Sequence, residues 1–249
     1  MRVLLEFTKG RRLRFLSHLD MQRLMQRALR RSGLPVKYSG GYSPHSVMNF
    51  ASALAVGCAS TAEVLDVTMA EDCPLAQIAE RLGNALPADM RLTRIARVAD
   101  KHPAPMGILN WADYDIEIAP ADDPAFNQNA GKDIAAMLVQ AAAEVIAAPE
   151  LIALRRTKSG EKEEDIRPMI ACITADKSGD TTMLHARLAM NEPGTLKVEL
   201  VMQVLYSRAG LTYDPNELRI TRASLLTGRN PATAISIMEY KVEELLKVI

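Results

Sequence analysis

The stretch from Ser17 to Ser32 constrains the fold of this chain more than any other. Met21, Leu24, Met25, Ala28 and Leu29 recur at i, i+3, i+4, i+7 and i+8, which places them on one side of an α-helix. Ser17-His18-Leu19-Asp20 supplies the start, a capping box in which hydroxyl and carboxylate satisfy first-turn N–H groups. Gly33 and then Pro35 supply the stop. A helix so bounded has to lay its apolar side on something, and the flanking sequence offers strands. Arg2–Phe7 is short and apolar-rich, and Lys9-Gly10-Arg11 reads as a turn. Val36–Ser39 and Val47–Leu54 read as strands around a loop from Gly40 to Ser46. In Ala62–Met69, Glu63, Leu65, Val67 and Met69 share one parity, as a strand requires. Leu75–Leu86 is an amphipathic helix bracketed by Pro74 and Pro87. Met90–Val98 closes the series as a strand.

The succession is β-α-β-β-α-β, the ferredoxin-like pattern. The element order then repeats. Tyr114–Ala119, Ile166–Thr174, Met183–Ala189 and Leu218–Leu225 read as strands, with helices at Asp133–Ala147 and Leu196–Ser207. Leu151–Arg156 is a further strand before a charged loop, Lys158–Asp165, and Ile235–Val248 reads as a terminal helix. The expected fold is therefore α+β, two tandem ferredoxin-like (β-α-β-β-α-β) halves with a C-terminal helix. The expected domains are 1–100, a linker 101–112 rich in Pro and Gly, and 113–249.

Charge is unevenly spread. The chain of 249 residues has no formal net charge, but its first 50 residues hold ten basic and two acidic groups, a net of +8. The other 199 residues hold 20 basic and 28 acidic groups, a net of −8. Such asymmetry points to a polyanionic or acidic partner. On the expected first helix, Arg23, Arg27, Arg30 and Arg31 lie roughly opposite the apolar stripe, with Asp20 as the helix's sole acid. Guanidinium groups suit bidentate contact with phosphate or carboxylate. A structural face of a helix usually mixes its signs to gain i,i+4 pairs, and this one does not.

Beyond the helix, Tyr38-Ser39-Gly40-Gly41-Tyr42-Ser43-Pro44-His45 forms a second candidate site. Adjacent glycines permit positive φ and close backbone approach to a ligand, and successive N–H groups there can bind an anion. The tyrosines can stack on bases, and His45 is displayed past a stiff Pro44. The alternative is a plain connection between strands. The string is neither a phosphate loop of the G-x-x-x-x-G-K-[ST] type nor a dinucleotide fingerprint. His18 has a structural explanation as a packed or capping residue, and a functional one as an acid/base beside a basic face.

At these residues the chain resembles the radical SAM-linked protein family. The likeness runs through Phe15-Leu16-Ser17-His18-Leu19-Asp20, Arg27 to Pro35, the Tyr38–His45 string, Phe50-Ala51, Leu54, Gly57 and Glu63 to Asp66, and resumes at Asp165-Ile166-Arg167-Pro168. The loop departs from the usual family pattern at Gly40, Tyr42, Ser43 and Ser46 and keeps Gly41, Pro44 and His45. The resemblance implies an accessory or substrate-recognition protein that works with a separate radical SAM enzyme. Cys58, Cys73 and Cys172 are too widely spaced to hold a four-iron cluster, so the cluster and S-adenosylmethionine are expected on that partner alone.

The expected function is a non-catalytic module that binds RNA or another polyanion through Arg23, Arg27, Arg30, Arg31, Ser39, Gly40, Gly41, Tyr42, Pro44 and His45. One alternative is a metal-independent ribonuclease using His18 or His45, since tandem ferredoxin-like halves with a histidine near the first helix are similar in outline to CRISPR RNA-processing endonucleases. Another is a protein-interaction scaffold without nucleic acid, which the 4% aromatic content keeps open. The four histidines show no metal-ligand spacing, so no metal is expected. Three widely spaced cysteines with no CxxC pair, no signal-like start and no long apolar run point to a cytoplasmic protein away from membranes.

Overall fold

The structure, a computed structural model, describes residues 1–119, 129, 131–157, 160–178 and 181–248. They form a mixed α+β protein with a large, mostly antiparallel sheet and five α-helices among the described residues. The chain divides into two compact units. One comprises residues 1–109 with 222–249, the other residues 110–221.

The first unit starts with β1 (Arg2–Lys9) and continues with α1 (His18–Arg31), a short β2 (Met48–Phe50), β3 (Ala59–Thr68), α2 (Leu75–Ala85) and β4 (Leu92–Val98). Its strands lie in the order β4-β1-β3, with β2 on the outer side of β3, and every one of these neighbouring pairs is antiparallel. Val3, Leu5 and Phe7 of β1 share a parity and pack with Met21, Met25, Ala28 and Leu29 of α1 and with Ile78 and Leu82 of α2. Thus the apolar stripe read from the sequence is the face α1 buries. Ser17 caps the helix as expected, its Oγ accepting from Asp20 N at 3.2 Å while Asp20 accepts from Ser17 N at 3.3 Å.

The opposite parity of β1 carries charge, and each charge is matched. Arg2 forms an ion pair with Asp66. Arg94 of β4 holds Glu6 in a bidentate pair at 2.8 and 2.5 Å and also reaches Glu239 at 3.2 Å and Ser236 Oγ at 2.8 Å. The segment expected as a linker is folded here: it contains α3 (Pro105–Ile108), and His102 and Leu109 are buried. His102 Nε2 lies 2.9 Å from Tyr240 O.

The second unit begins with β5 (Trp111–Ile118) and α4 (Ile134–Ala147), followed by β6 (Ile152–Thr157) and β7 (Gly160–Asp165). Among the described residues these last two strands pair only with each other, in an antiparallel ribbon. The charged loop expected at Lys158–Asp165 is therefore mostly strand, and its Lys158 and Ser159 lie outside the described residues. Next come β8 (Ile170–Ser178), β9 (Thr181–Ala189), α5 (Val198–Arg208) and β10 (Leu218–Thr227), in the sheet order β10-β5-β9-β8. The later residues of β10, from Arg222 on, belong to the first unit.

The chain ends with β11 (Ile235–Ser236) and β12 (Val242–Lys247). The expected C-terminal helix at Ile235–Val248 is not formed. Val242, Leu245 and Leu246 stand at i, i+3 and i+4, which mimics a helix. A register shift between Val242 and Glu244 instead lets the same spacing run as a bulged strand. Pairing of Leu245 with Ala96 and of Leu246 with Ile95 covers the outer edge of β4, and Arg97 meets Glu244 at 3.7 Å. A sheet edge left bare would expose a row of unpaired N–H and C=O groups, so this pairing outweighs the local helical pattern.

Candidate functional site

The arginines of α1 come first. Residues 23, 27 and 31 are spaced four apart, so their side chains rise in one line along the helix over about 12 Å. They line a cleft of about 610 Å³ together with Leu16, Asp20 and Leu24 from the same side. Asn84, Ala85, Leu86 and Pro87, at the end of α2, form the other wall. Arg31 Nη2 donates to Ala85 O at 2.6 Å. A guanidinium at a helix C-terminus answers both an unmatched carbonyl and the negative end of the helix dipole. This contact joins the two walls.

The other arginines are less engaged. Arg23 approaches Asp20 Oδ1 only at 3.8 Å, with both side chains largely exposed. Arg27 and Arg30 make no hydrogen bond or ion pair among the described residues. Asp20 is committed elsewhere: its carboxylate accepts the Ser17 hydroxyl at 2.6 Å, and that hydrogen bond holds its pKa below the usual carboxylate value. The cleft therefore presents three cations against one carboxylate already satisfied by the helix cap. Arg30 is exposed but does not line the cleft.

The Gly-rich loop is an exposed excursion closed by the bridge between Tyr38 and Ser46. Ser39 N donates to His45 O at 2.8 Å, and His45 N donates to Ser39 Oγ at 3.1 Å. The His45 ring is drawn in as well, with Nδ1 2.9 Å from Ser39 Oγ. Gly41 has φ +105°, a conformation glycine adopts without strain, and a Cβ at Gly40 or Gly41 would meet nothing within 4 Å. Gly40, Gly41, Tyr42 and Pro44 are all exposed. Among the described residues, none of this loop lines the arginine cleft. His45 therefore does not join Arg23 and Arg27 in lining that cleft.

His18 packs edge-on against Phe50, with ring centroids 5.2 Å apart, and its Nε2 lies 3.3 Å from Gln22 Nε2. It borders a separate cavity of about 10 Å³ with Lys9, Ser52 and Glu63. A space of that size admits about one water and no substrate.

The sequence reading missed a buried polar cluster under the start of α1. Lys9, read there as part of a turn and counted among the ten basic groups, is buried and donates to Arg14 O and Leu16 O, both at 3.2 Å. Burial lowers its pKa. Beside it Arg222 grips Glu63 through Nε at 2.9 Å and Nη2 at 2.6 Å, both side chains almost fully buried. A signal for Lys9 exists in the sequence, because it shares the parity of Val3, Leu5 and Phe7 and so points to the core. Nothing local marks Arg222, whose partner lies 159 residues away. The cleft wall at Asn84–Pro87 was likewise read only as a helix end.

The family model that matches this chain covers residues 2–198, most of its length. The chain belongs to DUF2344, the family described as an uncharacterized protein conserved in bacteria. No curated protein matches it. No helix among the described residues is long and apolar enough to cross a membrane, and no group of His, Cys, Asp and Glu among them has the placement to hold a metal ion.

Proposed function

We propose that this DUF2344 protein is an accessory module that binds a polyanion in the cleft lined by Arg23, Arg27 and Arg31, with Arg30 and the Ser39–His45 loop as flanking contacts. The observation that carries this reading is the cleft itself. Three guanidiniums face one space whose single carboxylate is occupied by the Ser17 cap. Phosphates are the ligands such a fork-shaped donor set recognises best. RNA is the polyanion this reading favours, presented to a separate radical SAM enzyme that carries the iron–sulfur cluster and S-adenosylmethionine. The resemblance through Phe15–Asp20 and Tyr38–His45 supports that partner, and three cysteines that form no disulfide suit a reducing, cytoplasmic setting.

The same reading takes both halves as ferredoxin-like. It is supported by the strand orders β4-β1-β3-β2 and β10-β5-β9-β8, each drawn from a β-α-β-β-α-β succession once the β6–β7 ribbon is set aside.

The test is equilibrium binding of labelled RNA and heparin at low and high salt. The reading expects binding of both that weakens as salt rises. Absence of binding to either at low salt overturns it. For the partner, affinity pull-down against the radical SAM protein encoded nearest to the chain expects association at micromolar concentration, and failure there removes that half of the proposal.

A further inference from the structure

Phe15 has a placement that the arginine cleft alone does not explain. It directly precedes the cleft-lining residue Leu16 in the chain and is 65% exposed. An exposed phenylalanine on a loose loop would mean little. This one is braced from beneath. Buried Lys9 donates to the carbonyls on both sides of it, Arg14 O and Leu16 O. Gly57 N donates to Arg14 O at 2.8 Å, and Leu16 N closes a turn onto Leu13 O at 2.9 Å. The turn is itself pinned: Arg12 N donates to Asp89 Oδ2 at 2.9 Å, and a Cβ at Gly10 would stand 2.4 Å from the Asp89 carboxylate. The Arg14 guanidinium lies over the Phe15 ring, 4.3 Å from its centroid. Leu19, one turn on, is also 61% exposed.

A fixed, outward aromatic ring with a guanidinium against it, followed by three arginines in line, is the combination that binds single strands. Cations follow the phosphates, and the ring receives an unstacked base. A duplex keeps its bases stacked and offers no free face to the ring. A protein partner is disfavoured by a row of three arginines that shares a single cleft carboxylate, Asp20, because its net charge asks for a ligand that is anionic along its length.

Resting on the polyanion reading above, we infer that the ligand is single-stranded nucleic acid, with one base stacked on Phe15 and the adjoining phosphates along Arg23, Arg27 and Arg31. Lys9 is a positioning residue, since it acts on the ligand only by holding the backbone on either side of Phe15.

The experiment measures binding of the full chain to labelled oligo(U) and oligo(dT), to a duplex of equal length, and to heparin, for the wild type, Phe15→Ala and Phe15→Trp. The inference expects either single strand to bind more tightly than the duplex. It expects Phe15→Ala to weaken single-strand binding about 5- to 150-fold while leaving heparin unchanged. Phe15→Trp should retain binding, and the new indole should be quenched by oligonucleotide and not by heparin. If Phe15→Ala binds the single strand like wild type, or the duplex binds equally well, the inference fails while heparin binding still upholds the polyanion reading. If neither heparin nor any oligonucleotide binds, the polyanion reading itself has failed.

Discussion

At the scale of single residues, charge in this protein divides into groups that hold the fold and groups that face outward. Arg2, Lys9, Arg94 and Arg222 belong to the first kind. Glu63 and Arg222 form a bidentate pair out of contact with water. Removing one partner leaves the other buried and uncompensated. Glu63→Ala should therefore cost about 3–5 kcal/mol of stability, read as a fall in the denaturation midpoint. A midpoint within error of wild type would deny the pair its structural role. Lys9 gives a pH signature. Burial lowers its folded-state pKa below its unfolded value of about 10.4. In the window just below that value the unfolded chain binds more protons than the folded one, so this site makes stability rise with pH. Stability of wild type relative to Lys9→Met should climb as pH approaches the unfolded value, whereas parallel curves would contradict the assignment. The outward arginines behave otherwise. Arg27 has no hydrogen-bond or ion-pair partner to lose among the described residues, and Arg27→Ala should leave stability within about 0.5 kcal/mol of wild type while weakening polyanion binding.

At the scale of elements, the strength of local signals decided what was legible. The α1 helix carries a cap, a stripe and a stop, and all three act as read. Ser17→Ala should cost about 1 kcal/mol, measurable by urea denaturation. The C-terminal segment carries a helical spacing as well, yet forms β12. What decides there is the open edge of β4, which is contributed by residues about which Val242–Lys247 contains no information. Truncation after Lys241 should lower stability and expose that edge, giving self-association detectable by light scattering. A truncated chain as stable and monomeric as the full one would show that β12 is dispensable. The β6–β7 ribbon was hidden for the opposite reason. Glu161, Lys162, Glu163 and Glu164 look like a solvated loop because an exposed two-stranded ribbon need bury neither face. The candidate site shows the same division. Spacing alone placed Arg23, Arg27 and Arg31 on one side of a helix. That α2 ends opposite them, with Arg31 on Ala85 O, is a tertiary fact. The Gly40–His45 loop was legible as a loop, but its absence from the cleft lining was not.

At the scale of the whole molecule, the excess of positive charge in the first 50 residues is smaller at the surface than in the sequence. Arg2 is neutralised by Asp66 and Lys9 is internal. What remains is concentrated along α1 and the turn before it, and this local field, rather than net charge, is the basis of the account. A charge-driven contact has a quantitative mark, because each neutralised phosphate releases counterions. The most direct test is the salt dependence of oligo(U) binding to the wild type and to the Arg23→Ala/Arg27→Ala double variant. With three phosphates neutralised, the wild type should show a log–log slope near about −2, and the double variant should be shallower by about 1.4. Slopes that coincide would contradict the account, because the ligand would then be bound somewhere other than the arginine cleft of α1.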